Sequence, residues 1–203
     1  FFAVLLVGLG LMMRSRFTDI SRKNLAPVDQ PIAEKFNAIE VLSQPGHEKG
    51  YAFLTEQLED PEIHDEVVRI KIIDTLTQIQ EPEAVHSYLK ILRNPNESRE
   101  IKSRVLRSLY HLGKLKKYWN DHSFGRSHLL QVLEDSFENM SKDPYLRKWI
   151  VMNTFIHMDS HQVVPFFLKI MKQEDRELRS ICLRSCIMFD DPEIVHYLYP
   201  YLQ

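Results

Sequence analysis

Glycine is scarce, with 6 in 203 residues. That scarcity disfavours the glycine-rich turns that cradle phosphate at helix N-termini, and no P-loop, G-x-G-x-x-G or G-x-S-x-G pattern occurs. Runs of β-branched residues are few, which disfavours a sheet-rich fold. Cys182 and Cys186 are the only two cysteines, too few for a disulfide framework. Neither sign of charge is in excess. The formal net charge of −2 removes the simplest electrostatic case for nucleic-acid binding, which favours a strongly basic face. What is present, 44% hydrophobic and 27% charged residues, is ordinary globular composition on a chain long enough for a core.

That average hides an uneven start. Phe1 to Met13 reads FFAVLLVGLGLMM, without a charge or a strong polar group. A spanning helix needs roughly 20 apolar residues. Phe1 already lies inside the apolar run, so residues 1–14 are expected to be the end of a membrane anchor whose upstream turns precede the sequence. A signal-peptide core fits the length, but no small-x-small cleavage site follows. A buried core helix that is apolar on every side is unusual in a small domain. Phe1, Phe2, Leu5, Leu6, Leu9 and Leu11 would face lipid. Arg14 and Arg16, followed by Arg22 and Lys23, form a basic flank that places the remainder in the cytoplasm by the positive-inside tendency. Residues 15–30 read as a juxtamembrane linker.

From residue 31 onward the periodicity is helical. Val68, Ile72, Ile73, Leu76 and Ile79 form one apolar helix stripe, with Asp60 expected as N-cap and Pro61 in the first turn. Val85, Tyr88, Leu89 and Leu92 form a second stripe after a tight turn, completing an αα-hairpin. The hairpin recurs. Its first helix opens with Val68-Arg69, Ile101-Lys102, Leu146-Arg147 and Leu178-Arg179, and these numbers are 33, 45 and 32 apart. Its second helix recurs as EPEAVHSYLKIL, SHQVVPFFLKIM and DPEIVHYLYPYL, with Val85, Val164 and Val195 in register. A period in the thirties with two helices per unit signals a solenoid.

These V-R or L-R starts, D-P-E or E-P-E turns and V-x-x-[YFL]-[LY] second helices resemble HEAT repeats over residues 31–203. The expected fold is all-α: a right-handed α-solenoid of about five HEAT-like hairpins behind an N-terminal transmembrane helix. The resemblance implies a binding role, since the family is mostly non-catalytic. It implies that Arg69, Arg147 and Arg179 tie neighbouring hairpins, with Asp60, Asp74, Asp143 and Asp175 as candidate partners. It also implies that the second helices line a concave side. Exposed positions there include His86, Lys90, Lys169, His196 and Tyr199, a basic and aromatic set suited to an acidic peptide or to a protein groove.

The 45-residue interval implies an insertion, residues 115–127, reading LKKYWNDHSFGRS. Tyr118, Trp119, Phe124 and Arg126 are residue types that anchor interfaces. Binding a partner and folding back as a local plug both remain open for them. Nine histidines call for a metal check. No H-E-x-x-H occurs, His47-Glu48 is a single pair where HEAT-like di-iron hydroxylases repeat it, and His86 and His196 are too many repeats apart to share one ion. Cys182 and Cys186, four apart on one helix, read as small core residues. No metal, cofactor, small-molecule substrate or nucleic acid is expected. The sequence therefore points to a membrane-tethered adaptor or scaffold for a protein partner, itself membrane-associated. A structural subunit of a larger membrane complex fits equally. The alternative is a HEAT-like enzyme or enzyme subunit, of lyase or nucleic-acid repair type.

Overall fold

The computed structural model describes residues 31–46, 48–60, 63, 65–81, 83–114, 126–140, 143–157, 160–172, 176–189, 194, 196 and 199. The anchor residues Phe1, Phe2, Leu5, Leu6, Leu9, Leu11, Arg14 and Arg16 lie outside them, as do Tyr118, Trp119 and Phe124. Among the described residues the elements are all helical, with no strand. The helices are α1 (Ile32–Leu42), α2 (Glu48–Glu59), α3 (Glu66–Gln78), α4 (Ala84–Arg93), α5 (Arg99–Lys114), α6 (Arg126–Asn139), α7 (Pro144–His157), α8 (Ser160–Lys172) and α9 (Arg176–Ile187). None is long and apolar enough to cross a membrane. The chain divides into two compact units, one ending at Lys90 and one beginning at Ile91.

In the first unit, α1 packs on α3, and α2 packs on both. Ile39, Leu42, Leu54, Leu58, Val68, Ile72, Ile73 and Leu76 are fully or almost fully buried between them. In the second unit, α5 packs on α7 and α7 on α9, while α6 sits against α7 and α8 against α7 and α9. Within each unit, then, a first helix lies on the first helix of the next hairpin. A hairpin buries its apolar stripe only against such a neighbour, so the core is built by stacking.

The repeated first-helix start has a capping origin. The Asp65 Oδ1 accepts from the Val67 and Val68 amides at 3.0 and 3.4 Å. The Ser98 Oγ accepts from Ile101 at 3.1 Å, and the Asp143 Oδ1 accepts from Leu146 at 3.1 Å. Val68, Ile101 and Leu146 are therefore the third residues of capped helices, whose amides otherwise lack partners. This corrects the expected start at Asp60-Pro61. A cap must reach the second and third amides of its helix, and Asp65 does so where α3 begins.

Helix α3 ends on a left-handed residue, Gln80 (φ 59°). The Gln80 amide donates to Thr77 and the Glu81 amide to Leu76, at 3.2 and 2.9 Å, the paired bonds of a Schellman turn. That turn closes the α3–α4 hairpin. The buried Tyr88 hydroxyl then locks it, donating to the Ile73 carbonyl at 3.0 Å and lying 3.1 Å from the Thr77 hydroxyl.

The two units repeat one another at a longer interval. Residues of α2 and α4 recur 79 positions later in α6 and α8, and those of α3 recur 78 positions later in α7. Asp65 thus corresponds to Asp143, Leu58 to Phe137, and Lys90 to Lys169. Burial follows this register, since Leu54, Leu58, Leu133 and Phe137 are all enclosed.

Candidate functional site

Two helix faces carry the polar chemistry of this molecule. The first is the edge of the second helices. Lys90 on α4 reaches Glu59 on α2 at 2.6 Å, and Lys169 on α8 reaches Glu138 on α6 at 2.8 Å. Both pairs span 31 residues, and each member of one has its equivalent in the other 79 residues away. They are the same rung drawn in each unit. In the first unit the buried Ser87 also donates to Glu59 at 2.8 Å. The Lys90 ammonium, with Ser87 and the charge of His86 assisting, holds the Glu59 carboxyl below the usual range. Glu138 in turn raises the Lys169 ammonium above its ordinary value.

Lys90 and Lys169 are thus engaged by acids of the preceding second helix, while their side chains stay about two-thirds exposed. His86, His196 and Tyr199 are exposed as expected. Arg126 opens α6, and its side chain lies outside the described set.

The repeated basic residues sit on the ends of preceding second helices. Arg69 Nη2 donates to the Leu58 carbonyl at 3.4 Å, near the C-terminus of α2. The Arg147 guanidinium lies 4.0 Å from the centroid of Phe137, the residue equivalent to Leu58. A cation at a helix C-terminus or over a ring face gains from the helix dipole or the ring quadrupole. Asp143, one of the candidate acids, caps α7 and pairs with Arg99 of α5.

The second face lies on the first helices α5 and α7. Arg99, Ser103, Arg107 and Tyr110 fall on one side of α5, and Tyr145 and Trp149 on one side of α7. Tyr110 meets Trp149 edge-to-face at 5.5 Å, and Tyr145 meets Trp149 likewise at 6.4 Å. Arg99 lies 5.7 Å from the Tyr145 ring centroid. Tyr145 is 41% exposed, whereas Tyr110 and Trp149 are half-buried. The Trp149 indole and the Ser103 hydroxyl, both bonded toward Tyr145, hold its phenol below the usual tyrosine range. Sequence periodicity missed this face. The available signal was Tyr145 and Trp149 four apart on the polar side of a helix.

The two thiols are buried in α9. Burial pushes Cys186 up to about 11 and Cys182 further still, so neither is a thiolate near neutrality. Among the described residues no cluster of three His, Cys, Asp or Glu side chains is placed to hold a metal ion.

The described geometry defines a class: an all-helical protein of stacked hairpins with repeat-like register. No protein-family model matches the chain, and no curated protein matches it.

Proposed function

We propose that this chain is a HEAT-like α-solenoid scaffold, tethered at the cytoplasmic face of a membrane by residues 1–14, that holds a membrane-associated protein partner. The observation that supports this reading is the repeated stacking of first helices with one rung, Lys90–Glu59 and Lys169–Glu138, restated in each unit. In such arrays stability comes from neighbour contacts, and the outward side chains of the second helices are left to bind. His86, His196 and Tyr199 would then contribute to a concave binding face, with Lys90 and Lys169 contributing through their exposed stems. Residues 115–127, with Tyr118, Trp119, Phe124 and Arg126, would add an aromatic contact. The apolar residues 1–13 with the basic flank at Arg14 and Arg16 support the tether. The mechanism is local concentration rather than bond chemistry, because a tether raises effective concentration without new contacts.

Membrane fractionation with alkaline washing, followed by cross-linking and capture from detergent-solubilised membranes, tests the proposal. The full chain is expected to remain with the washed membranes and to be released by deletion of residues 1–14. A cross-linked partner is expected to be lost on Trp119→Ala. A chain washed free of membranes refutes the tether. A monomeric chain without a cross-linked partner, unchanged by Trp119→Ala, refutes the scaffold.

A further inference from the structure

We propose that one side of α9, formed by Arg176, Ser180, Leu183, Arg184 and Ile187, is a docking surface for an acid-capped amphipathic helix of a partner protein. This side is separate from the second-helix face, and the inference stands whether or not residues 1–14 tether the chain.

The molecule supplies its own template. The α5 segment REIKSRVLRS recurs 77 positions later in α9 as RELRSICLRS. Arg99, Ser103, Leu106, Arg107 and Tyr110 therefore correspond to Arg176, Ser180, Leu183, Arg184 and Ile187. Even a local bond repeats, since Arg107 and Arg184 each donate to the serine hydroxyl four residues back, at 3.3 and 3.1 Å. Both helices bury the same inner side, Val105 and Leu109 in α5 and Cys182 and Cys186 in α9. They differ on the side next to it. On α5 that side meets α7, where Asn153 bonds the Leu106 carbonyl and Trp149 meets Tyr110. Ser103 and Leu106 are buried there, and Arg107 and Tyr110 are half-buried. On α9, Ser180 and Leu183 are only half-buried, Arg184 is exposed, and Ile187 is 71% exposed. All four positions are open on α9 where α7 covers their equivalents on α5.

Charge identifies the occupant. On α5, Arg99 pairs with Asp143, the N-cap of α7, and Arg107 pairs with Glu100 at 3.5 Å. On α9 the equivalent of Glu100 is Glu177, which reaches across to Lys148 of α7 at 3.1 Å. Neither Arg176 nor Arg184 has an acidic partner among the described residues. Arg176 thus carries an unmet charge at the place where Arg99 receives a helix-capping aspartate. A capping carboxylate satisfies the first amides of its own helix and the facing guanidinium together. Behind the cap, the occupant needs an apolar stripe to cover Leu183 and Ile187. The α5–α7 contact shows the spacing, with Trp149 six residues after Asp143 and 5.5 Å from Tyr110. Apolar anchors at helical spacing are the means by which an amphipathic helix docks. A basic segment is repelled by the two unmatched arginines, and an acidic segment without an apolar stripe leaves Ile187 uncovered.

The α7 sequence itself serves as the probe and stands in for the partner helix. A fluorescent peptide of residues 143–157, DPYLRKWIVMNTFIH, is titrated with the full chain in detergent micelles, and anisotropy is followed against empty micelles. Saturable binding is expected, weakened about tenfold or more by Arg176→Glu in the chain or by Asp143→Lys in the peptide. Combining the two changes should recover part of the loss, because the ion pair is re-formed with its signs exchanged. Ile187→Asp should also weaken binding, and Arg93→Glu, at an exposed arginine of α4, should leave it unchanged. Circular dichroism on each variant separates loss of binding from loss of fold, and recovery by the exchanged pair itself requires a folded chain. Absence of saturation, equal weakening by Arg93→Glu, or no recovery on combining the changes overturns the proposal. So does sedimentation of the chain alone as a dimer that Arg176→Glu makes monomeric, which would assign the surface to a second copy.

Discussion

Gly50 is where a single atom decides a helix crossing. A Cβ built there would run into the Leu42 carbonyl oxygen, which is backbone and has no rotamer to yield. The absence of a side chain lets α2 approach the end of α1. Gly50→Ala should therefore destabilise the protein by roughly 1–3 kcal/mol, the usual cost of forcing an extra carbon into a packed contact. The expected outcome is a lower urea midpoint with an unchanged m-value. A neutral or stabilising result, as helix propensity alone would give, would show that the crossing relaxes freely. Nothing in the sequence around Gly50 announced this role. A glycine inside a helical stretch reads as a small propensity penalty until the neighbouring carbonyl is seen.

At the scale of the element, Asp143 carries two tasks at once. It caps α7 through the Leu146 amide, and it pairs with Arg99 from α5. The Arg99 guanidinium, with the capping amides, holds its carboxyl below the usual aspartate range. The sign follows from that direction. A carboxylate with a depressed folded pKa stabilises the native state above its unfolded value of about 3.9, and the benefit is lost as pH falls through the lower folded value. Asp143→Ala should cost roughly 0.5–2 kcal/mol at pH 7, with the cap as the main loss and little from an exposed ion pair. Urea titrations at pH 7 and below pH 3 are expected to show the gap between variant and parent narrowing in acid. A gap that stays constant would mean that the carboxylate charge contributes nothing.

Helix existence and the apolar stripes were readable here, because a 3.6-residue period has few alternative explanations. Helix starts were less so. Asp60-Pro61 and Asp65 both present plausible caps, and only geometry shows that Asp65 reaches the Val67 and Val68 amides. Two contacts of Arg69 and Arg147 were illegible for a related reason, since a carbonyl at the end of a helix and the face of Phe137 carry no sequence signature of charge.

At the scale of the whole molecule, Lys90 and Lys169, candidates as exposed basic residues of the second helices, also occupy matched positions in the repeat register. Their recurrence in matched positions reflects a recurring bond to Glu59 and Glu138, and a bond of that kind produces the same pattern as a shared ligand would. A second recurring feature was hidden within the first helices. Seven residues after each apolar start lie Thr75, Ser108, Asn153 and Ser185, all buried polar side chains. Asn153 shows what such a position does, since its Nδ2 donates to the Leu106 carbonyl of α5 at 2.9 Å and to the Trp149 carbonyl at 2.8 Å. A side-chain amide thereby ties one first helix to the preceding one. In a stacked array stability is a sum of unit and nearest-neighbour terms, so damage at one contact opens its neighbourhood before it opens the chain. Asn153→Ala removes this tie and should cost about 1–3 kcal/mol through the polar groups it leaves unmatched. Hydrogen exchange read by mass spectrometry should show protection falling across α5 and α7, while α1–α3 exchange as in the parent; Gly50→Ala should give the reverse. Equal loss of protection in both units from either substitution would mean that the chain unfolds as a single cooperative block, and the nearest-neighbour account would then be wrong.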